Sequence, residues 1–230
     1  PLALTSVTTF AARPVLTGLL ARAADATVAL AAWPVTWSTL LLFMLPMRTL
    51  EQITIPHAGT AAEEDVRRFA RLAGVAGGIL LAVLAATSLL GRYLEFAIGV
   101  TGTVQSAALA GLLWLAPVPC IIAGASFEAG RLVRHRRTVF VHLAALANVG
   151  LLAATALALR ALWPALPGTR MAALSLIAAY LGEWAVLAAG AARALGREGR
   201  PGTRRAGTAV PVSPGGKAGL SVGPTAGPRT

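Results

Sequence analysis

The sequence predicts an all-α bundle of membrane-spanning helices. Of its 230 residues, 56% are hydrophobic and only 13% are charged, and the mean hydropathy is +0.71. A soluble domain carries about 25% charged residues, so the composition excludes an ordinary cytosolic enzyme. The apolar residues also fall in runs of the roughly 20 residues that a helix needs to cross about 30 Å of hydrocarbon. We therefore expect a polytopic membrane protein.

Six apolar runs reach that length, and each predicts one span. They lie at 1–21, 26–47, 72–91, 104–124, 138–160 and 171–192. The first is the least apolar, because Arg13 and Pro14 interrupt it. The chain begins at Pro1 with no initiator Met, and we expect it to be the C-terminal piece of a longer protein.

The basic residues predict the orientation of the spans. Lys and Arg are in excess in the cytoplasmic loops of membrane proteins. Six alternating spans place fifteen of them on one side, in 48–71, in 125–137 and in the tail from Arg193 onward. The other side carries four, which are Arg22, Arg92, Arg160 and Arg170. We expect a multi-pass protein of the cell membrane with both ends of this chain in the cytoplasm.

Composition divides the chain into two parts. We expect residues 1–195 to form the helical bundle and residues 196–230 to form a basic cytoplasmic tail. The tail holds 9 Gly and 5 Pro and almost no large apolar residues. It cannot bury enough surface to offset its chain entropy, so we expect it to be disordered. Such a tail could contact anionic lipid, although a simple solvated extension is the plainer interpretation.

One loop-to-helix junction carries local signals. Thr60 followed by Glu63 is the spacing of a capping box, which predicts a helix over 61–90. Inside that helix Gly74 and Gly78 form a GxxxG pair, which allows close helix approach in lipid. The alternative is that the pair arises by chance in a helix rich in Ala and Gly.

The chain lacks the usual signatures of enzymes. It has no HExxH, GxSxG or P-loop motif and no GxGxxG after a strand. His57, His135 and His142 lack the spacing of metal ligands, and the single Cys120 excludes a Cys-built metal site. We expect no enzymatic activity, no catalytic residues, no metal, no cofactor and no nucleic-acid partner.

Two ionisable residues lie in the middle of predicted spans. Glu183 is surrounded by apolar and aromatic residues of the last span, and Arg13 lies just before Pro14 in the first. An ionisable side chain at membrane depth is costly unless it has a partner or faces a water-filled cavity. The two residues are natural partners by charge. The sequence allows two interpretations of these residues, which are a substrate path and a structural ion pair between helices.

Three further polar residues are candidates for substrate binding or coupling. Asn148 lies within the fifth predicted span, where a structural hydrogen bond between helices is the favoured interpretation. Arg48 and Glu51 mark the cytoplasmic end of the second span, where a long side chain can reach the membrane surface.

Prolines interrupt several spans. They are Pro14, Pro34, Pro46, Pro117 and Pro119. Each removes a backbone donor and bends its helix, and the freed groups must be satisfied by protein or by a wet cavity. Broken helices with charge at mid-depth are typical of secondary transporters. The pattern favours a carrier over a channel or a scaffold.

Short motifs follow one another in a characteristic order along the membrane part. They are Pro1-Leu2-Ala3-Leu4, Arg13-Pro14, Arg22, Ala31-Ala32-Trp33-Pro34-Val35, Ile55-Pro56-His57-Ala58, Val66-Arg67-Arg68-Phe69, Ala116-Pro117-Val118-Pro119, Arg136-Arg137-Thr138 and Leu181-Gly182-Glu183. In this order they resemble the progressive ankylosis protein family over roughly residues 1–195. That family is placed in the multidrug/oligosaccharidyl-lipid/polysaccharide flippase superfamily, whose members have two six-helix bundles. The resemblance implies a MATE-like fold in which this chain is the second bundle and the N-terminal half is missing.

The resemblance also implies a function. It implies export of inorganic pyrophosphate or related anions, with nucleotide and citrate release as further activities. Arg13 would then hold a phosphate or carboxylate bidentately, and Glu183 would orient it or take a proton during the cycle. Arg22 and Arg48 would draw anions towards opposite mouths of the cavity.

The predicted function is therefore secondary-active export of a small anion by alternating access. The partners would be the anionic or lipid-linked solute, membrane lipid, and either the missing six-helix half or a second copy. A drug–cation antiporter or a lipid-linked saccharide flippase of the same superfamily is the nearest alternative. A non-transporting membrane scaffold is the alternative of another class.

Overall fold

The computed structural model describes residues 14–195, which are helical apart from short connections and contain no strand. The prediction of an all-α fold is confirmed for this part of the chain. The helices are α1 (described over 14–20), α2 (Ala26–Arg48), α3 (Leu50–His57), α4 (Glu63–Ala86), α5 (Ser88–Tyr93), a π-helical turn (Leu94–Ile98), α6 (Gly102–Trp114), α7 (Val118–Arg134), α8 (Thr138–Leu162) and α9 (Gly168–Leu195).

Within 14–195, four helical segments are long and apolar enough to cross a membrane. They are Ala26–His57, Glu63–Ala86, Thr138–Leu162 and Gly168–Ala194. The pair α6 and α7, bent by 46° at a short break, makes a fifth if it is one broken span. These segments correspond to the last five predicted runs. The run at 1–21 lies mostly outside the described residues, as does the tail at 196–230, so six spans and a disordered tail stay predictions.

The second span is longer than the sequence indicated. Only Thr49 separates α2 from α3, and its backbone keeps a helical conformation (φ −67°, ψ −17°). Pro46 has no N–H for the helix, while the Thr49 hydroxyl donates a hydrogen bond to the Pro46 carbonyl across 2.7 Å. The helical path therefore continues to His57, beyond the end of the predicted run at residue 47. Arg48 lies inside this segment rather than at its end.

The start of α4 differs in detail from the predicted capping box. The Glu63 carboxylate accepts a hydrogen bond from the Gly59 N–H (2.6 Å) rather than from Thr60, and the Thr60 hydroxyl accepts one from the Ala62 N–H (3.3 Å). Gly59 has a positive φ of 78°, a conformation that glycine adopts at little cost. The helix ends at Ala86 instead of residue 90, because Thr87 is extended.

The GxxxG pair makes the close contact that its spacing predicted. A Cβ on Gly74 would lie 2.8 Å from the Ala123 Cβ, and one on Gly78 would lie 2.7 Å from the Ala116 carbonyl oxygen. The two glycines thus allow α4 to approach the break between α6 and α7. Around this contact α2, α4, α6, α7 and α9 enclose the main core, whose fully buried side chains include Leu40, Leu81, Leu112, Leu115 and Ile122.

Charged side chains join α4 to α7 at one end of the bundle. Arg131 Nε lies 2.8 Å from Glu63 Oε1, and Arg131 Nη1 donates a hydrogen bond to Glu128 Oε2 across 2.8 Å. Arg67 Nη2 lies 3.5 Å from the same Glu63 oxygen. The guanidinium carbons of Arg67 and Arg131 lie 5.3 and 5.8 Å from the centre of the Phe127 ring. This network holds the first turns of α4 against the last turns of α7.

Candidate functional site

A polar cluster lies where α2, α8 and α9 meet. Arg48 Nη1 is 3.6 Å from Glu183 Oε1, and Asn148 Nδ2 donates a hydrogen bond to Glu183 Oε2 across 2.8 Å. The Glu183 side chain is only 14% exposed, whereas that of Arg48 is 44% exposed. Both oxygens of a nearly buried carboxylate are therefore engaged, one by a cation and the other by an amide.

Tyr180 completes this cluster. It lies nearly one helical turn before Glu183 on α9 and is buried, with 6% of its surface exposed. The guanidinium carbon of Arg48 is 5.9 Å from the centre of its ring. A guanidinium over an aromatic face is attracted by the negative face of the ring. Tyr180 and Glu183 therefore position the head of Arg48 from the same helix.

Gly182 explains why α8 lies so close to Glu183. A Cβ at Gly182 would overlap the Leu151 side chain of α8. Leu151 and Asn148 are three residues apart and share a face of α8. Because glycine lets Leu151 approach the α9 backbone, the Asn148 amide comes within hydrogen-bond distance of the neighbouring Glu183. The motif Leu181-Gly182-Glu183 thus combines a packing residue with a polar one.

The exposed part of Arg48 borders an open groove. The groove has a volume of about 480 Å³ and is lined by Leu42, Leu45, Pro46, Arg48, Thr49 and Gln52. Sites for small molecules typically occupy 300–1,000 Å³ and combine apolar walls with a few polar groups. Pro46 in this lining cannot donate a backbone hydrogen bond to the Leu42 carbonyl. The groove could admit a small anion beside the guanidinium.

The remaining predicted site residues are Glu51, Arg22 and Arg13, and the structure describes the first two. Glu51 is half-buried and interacts electrostatically with Arg48 and Glu183. Arg22 is exposed, donates a hydrogen bond to the Gly18 carbonyl across 3.2 Å and borders a second groove of about 440 Å³. Arg13 lies outside the described residues. Its pairing with Glu183 stays a prediction.

Sequence reasoning missed the pair of Arg48 with Glu183. Within residues 14–195, Arg48 is the cation that contacts Glu183. The interpretation of Arg48 as a side chain reaching the membrane surface stays a prediction. The apolar residues after it, Ile53 and Ile55 among them, were the available signal that the helix continues. Tyr180 was also missed, because an aromatic residue in an apolar span usually belongs to the core.

The cluster has the chemistry of an anion site with an internal counter-charge. A guanidinium offers five N–H donors and no acceptor, and it binds phosphate or carboxylate oxygens bidentately. A carboxylate can neutralise it when no anion is present and can accept a proton. Among the residues that the structure describes, no group of three His, Cys, Asp or Glu side chains could hold a metal ion.

Apolar helices enclosing paired ionisable side chains define a multi-pass membrane protein. The chain belongs to the progressive ankylosis protein family, whose sequence model matches residues 1–195. Members of this family are membrane proteins linked to pyrophosphate and citrate transport. Searches of curated proteins and of solved structures found no significant match.

Proposed function

We propose that the protein is a secondary-active transporter that exports a small anion, such as pyrophosphate or a related phosphate or carboxylate compound. The observation that carries the proposal is the position of Arg48, which lies inside an apolar helical segment, contacts Glu183 and is 44% exposed beside an open groove. A purely structural ion pair would not need one of its two side chains to stay partly exposed beside a groove. In this proposal Arg48 is the main anion ligand, and the protein performs no enzymatic reaction.

Burial makes the cluster selective for anions. A charged residue in the membrane costs about 2.5–3.5 kcal/mol on insertion scales, so Arg48 is stable there only with a counter-charge. Glu183 supplies that charge in the empty site. A phosphate or carboxylate anion can supply it in the loaded site, where the low dielectric strengthens the attraction.

The broken helices fit an alternating-access cycle. The α6–α7 segment is bent by 46°, and Pro46 lies two residues before Arg48. The cavity would lie between this bundle and a second bundle, from the same chain or from a second copy, and binding that differs between the two states would drive exchange. A MATE-like six-helix half in the cell membrane, with Arg13 and Arg22 as further anion ligands, belongs to the same proposal.

Uptake into proteoliposomes tests the proposal. Purified protein is reconstituted, and uptake of labelled pyrophosphate and citrate is compared between the wild type, Arg48→Ala and the control Arg160→Ala, which removes an exposed arginine near the end of α8. Loss of a charge-assisted hydrogen bond costs about 1.5–3 kcal/mol, so Arg48→Ala should lower kcat/KM for the anion by about 10- to 100-fold. The control should match the wild type.

Two results would contradict anion export. Equal anion uptake by Arg48→Ala and the wild type would remove Arg48 from the site. A cation antiporter is the second candidate, because the carboxylate of Glu183 is partly accessible. It would be favoured if cationic dyes, and not pyrophosphate, competed for transport and if this competition were lost in Glu183→Gln. A wild-type protein that moves no solute, and whose cellular role depends on residues 196–230, would favour a scaffold.

A further inference from the structure

We propose that the anion travels together with one proton, because the two exchange places at Arg48 and Glu183. The anion replaces the Glu183 carboxylate as the counter-charge of Arg48, and Glu183 takes up a proton as it loses that partner. The inference rests on the proposed function and adds the coupling ion to it. The step forms one O–H bond on Glu183 with a proton from the water on the side where the anion enters, and that bond breaks when the anion leaves on the other side.

The contact between the two residues is suited to exchange. At 3.6 Å, Arg48 Nη1 and Glu183 Oε1 are paired by charge but lie beyond hydrogen-bond distance. Arg48 lines the groove and its side chain is 44% exposed, so an anion in the groove can approach Arg48 while Glu183 is still in place. The Glu183 carboxylate and a multiply charged anion would then compete for one positive charge in an apolar surrounding. Protonation of Glu183 removes the negative charge of the carboxylate and so removes its repulsion of the anion.

The hydrogen bond from Asn148 determines which oxygen takes the proton. Asn148 Nδ2 donates to Glu183 Oε2, and a protonated carboxyl group can still accept that bond on its carbonyl oxygen. Oε1, which faces Arg48, is therefore the oxygen that carries the proton. Asn148 holds the side chain in place in both protonation states, so the exchange needs no rearrangement of α8 against α9.

The other ionisable groups near Glu183 leave it as the proton site. Helices α2, α6, α7 and α8 pack against α9. From these, Arg48 is the charged group in contact with Glu183, while α6 has no ionisable residue and the carboxylate on α7, Glu128, is paired with Arg131. On α8, His142 lies six residues before Asn148.

Two further groups act on the pair from α9 and α3. Tyr180 packs its ring against Arg48. Glu51 interacts electrostatically with both Arg48 and Glu183, so it disfavours a second negative charge at the same place. The negative charge of Glu51 therefore also favours protonation of Glu183 when the anion binds.

Citrate transport driven by a pH gradient tests the coupling. Wild-type proteoliposomes are kept in alkaline buffer, where citrate is fully ionised, with the membrane potential clamped. An outside-acid gradient of about one pH unit should concentrate citrate inside by up to about tenfold, since one unit corresponds to a factor of ten for one proton. Glu183→Gln, which imitates the protonated side chain, should still exchange labelled for unlabelled citrate but should show no accumulation.

The matched control is Glu95→Gln, the same substitution at an exposed position in the π-helical turn; it should accumulate citrate as the wild type does. Accumulation by Glu183→Gln equal to that of the wild type would overturn the coupling and leave anion transport standing. A wild type that exchanges neither citrate nor pyrophosphate would instead overturn the proposed function, and the coupling with it.

Proton counting gives the answer even if Glu183→Gln does not fold. A pH-sensitive dye inside wild-type vesicles should report the uptake of one proton for each citrate that enters without a pH gradient. Because citrate carries no proton in this buffer, each counted proton is one that the protein took up outside and released inside together with citrate. Citrate entry with no proton uptake would overturn the proposal.

Discussion

Asn148 on α8 donates a hydrogen bond from its Nδ2 to the Oε2 of Glu183 on α9, across 2.8 Å. The bond joins the two helices at the place where α9 carries its only acidic side chain. It also leaves the other carboxylate oxygen facing Arg48, 3.6 Å away. The hydrogen bond from Asn148 therefore fixes the position of the Glu183 carboxylate beside Arg48.

Asn148→Ala removes the donor to Glu183 and should weaken both stability and transport. Hydrogen bonds between helices in membrane proteins average about 0.6 kcal/mol, with a maximum near 1.7, so we expect a loss of free energy of unfolding in that range. Anion affinity should fall as well, because Glu183 loses its fixed position. Unfolding in detergent mixtures and uptake assays measure the two effects. Thr155→Ala, on the same helix, is the control, and an equal loss there would contradict a specific role for Asn148.

Gly182→Ala should separate α8 from α9. The new methyl group would overlap the Leu151 side chain, and overpacking of a well-packed interior costs about 1–3 kcal/mol. Gly150→Ala is the matched control, because a Cβ at Gly150 meets nothing within 4 Å and alanine is the better helix former by about 1 kcal/mol. The melting temperature should fall for the first variant and stay level or rise for the second. A lower melting temperature for Gly150→Ala than for Gly182→Ala would show that α8 and α9 do not pack closely at Gly182.

Gly78→Ala should disturb the contact of α4 with the break between α6 and α7. Its Cβ would lie 2.7 Å from the Ala116 carbonyl oxygen, a backbone atom that cannot rotate away. We expect a loss of about 1–3 kcal/mol in the free energy of unfolding. Gly77→Ala, one residue earlier, meets its neighbours only at 3.4 Å or more. A thermal-shift measurement in which both variants behave alike would count against close packing at Gly78.

Arg131→Ala should destabilise the bundle more than Arg134→Ala. The Arg131 side chain is 18% exposed and lies within 2.8 Å of both Glu63 and Glu128, whereas Arg134 is exposed. Hydrogen bonds to charged groups contribute about 1.5–3 kcal/mol, and removal of Arg131 leaves two carboxylates close together. The unfolding midpoints of the two variants measure this difference in stability. Similar midpoints would mean that the network contributes little to the attachment of α4 to α7.

Several features of this protein could be predicted because they are local. The length of each apolar run determines whether a helix can cross a membrane, and these runs predicted the candidate spans of residues 14–195. The spacing of Gly74 and Gly78 predicted a close contact, since residues four apart share a helix face. Glu183 could be singled out because a carboxylate within an apolar run is costly wherever it lies.

Other features depended on structure beyond the local pattern. Pro46 was expected to interrupt the second span, yet the helical path continues past it through Thr49, because a helix tolerates one missing backbone donor where its surroundings support it. The Glu63 carboxylate likewise accepts its hydrogen bond from the Gly59 N–H instead of the Thr60 N–H, and this depends on the conformation of the turn before α4. Neither outcome follows from residue types alone.

The sequence by itself determined that residues 14–195 are helical with segments apolar enough to cross a membrane, and it determined that Glu183 lies within one of these segments. Only the tertiary structure decided that Arg48, Asn148 and Tyr180 surround that carboxylate. The physical reason is that hydropathy and helix periodicity are properties of a short segment. A partner on a distant helix is chosen by how the helices pack, and here the absence of a side chain at Gly182 lets α8 bring Asn148 to Glu183.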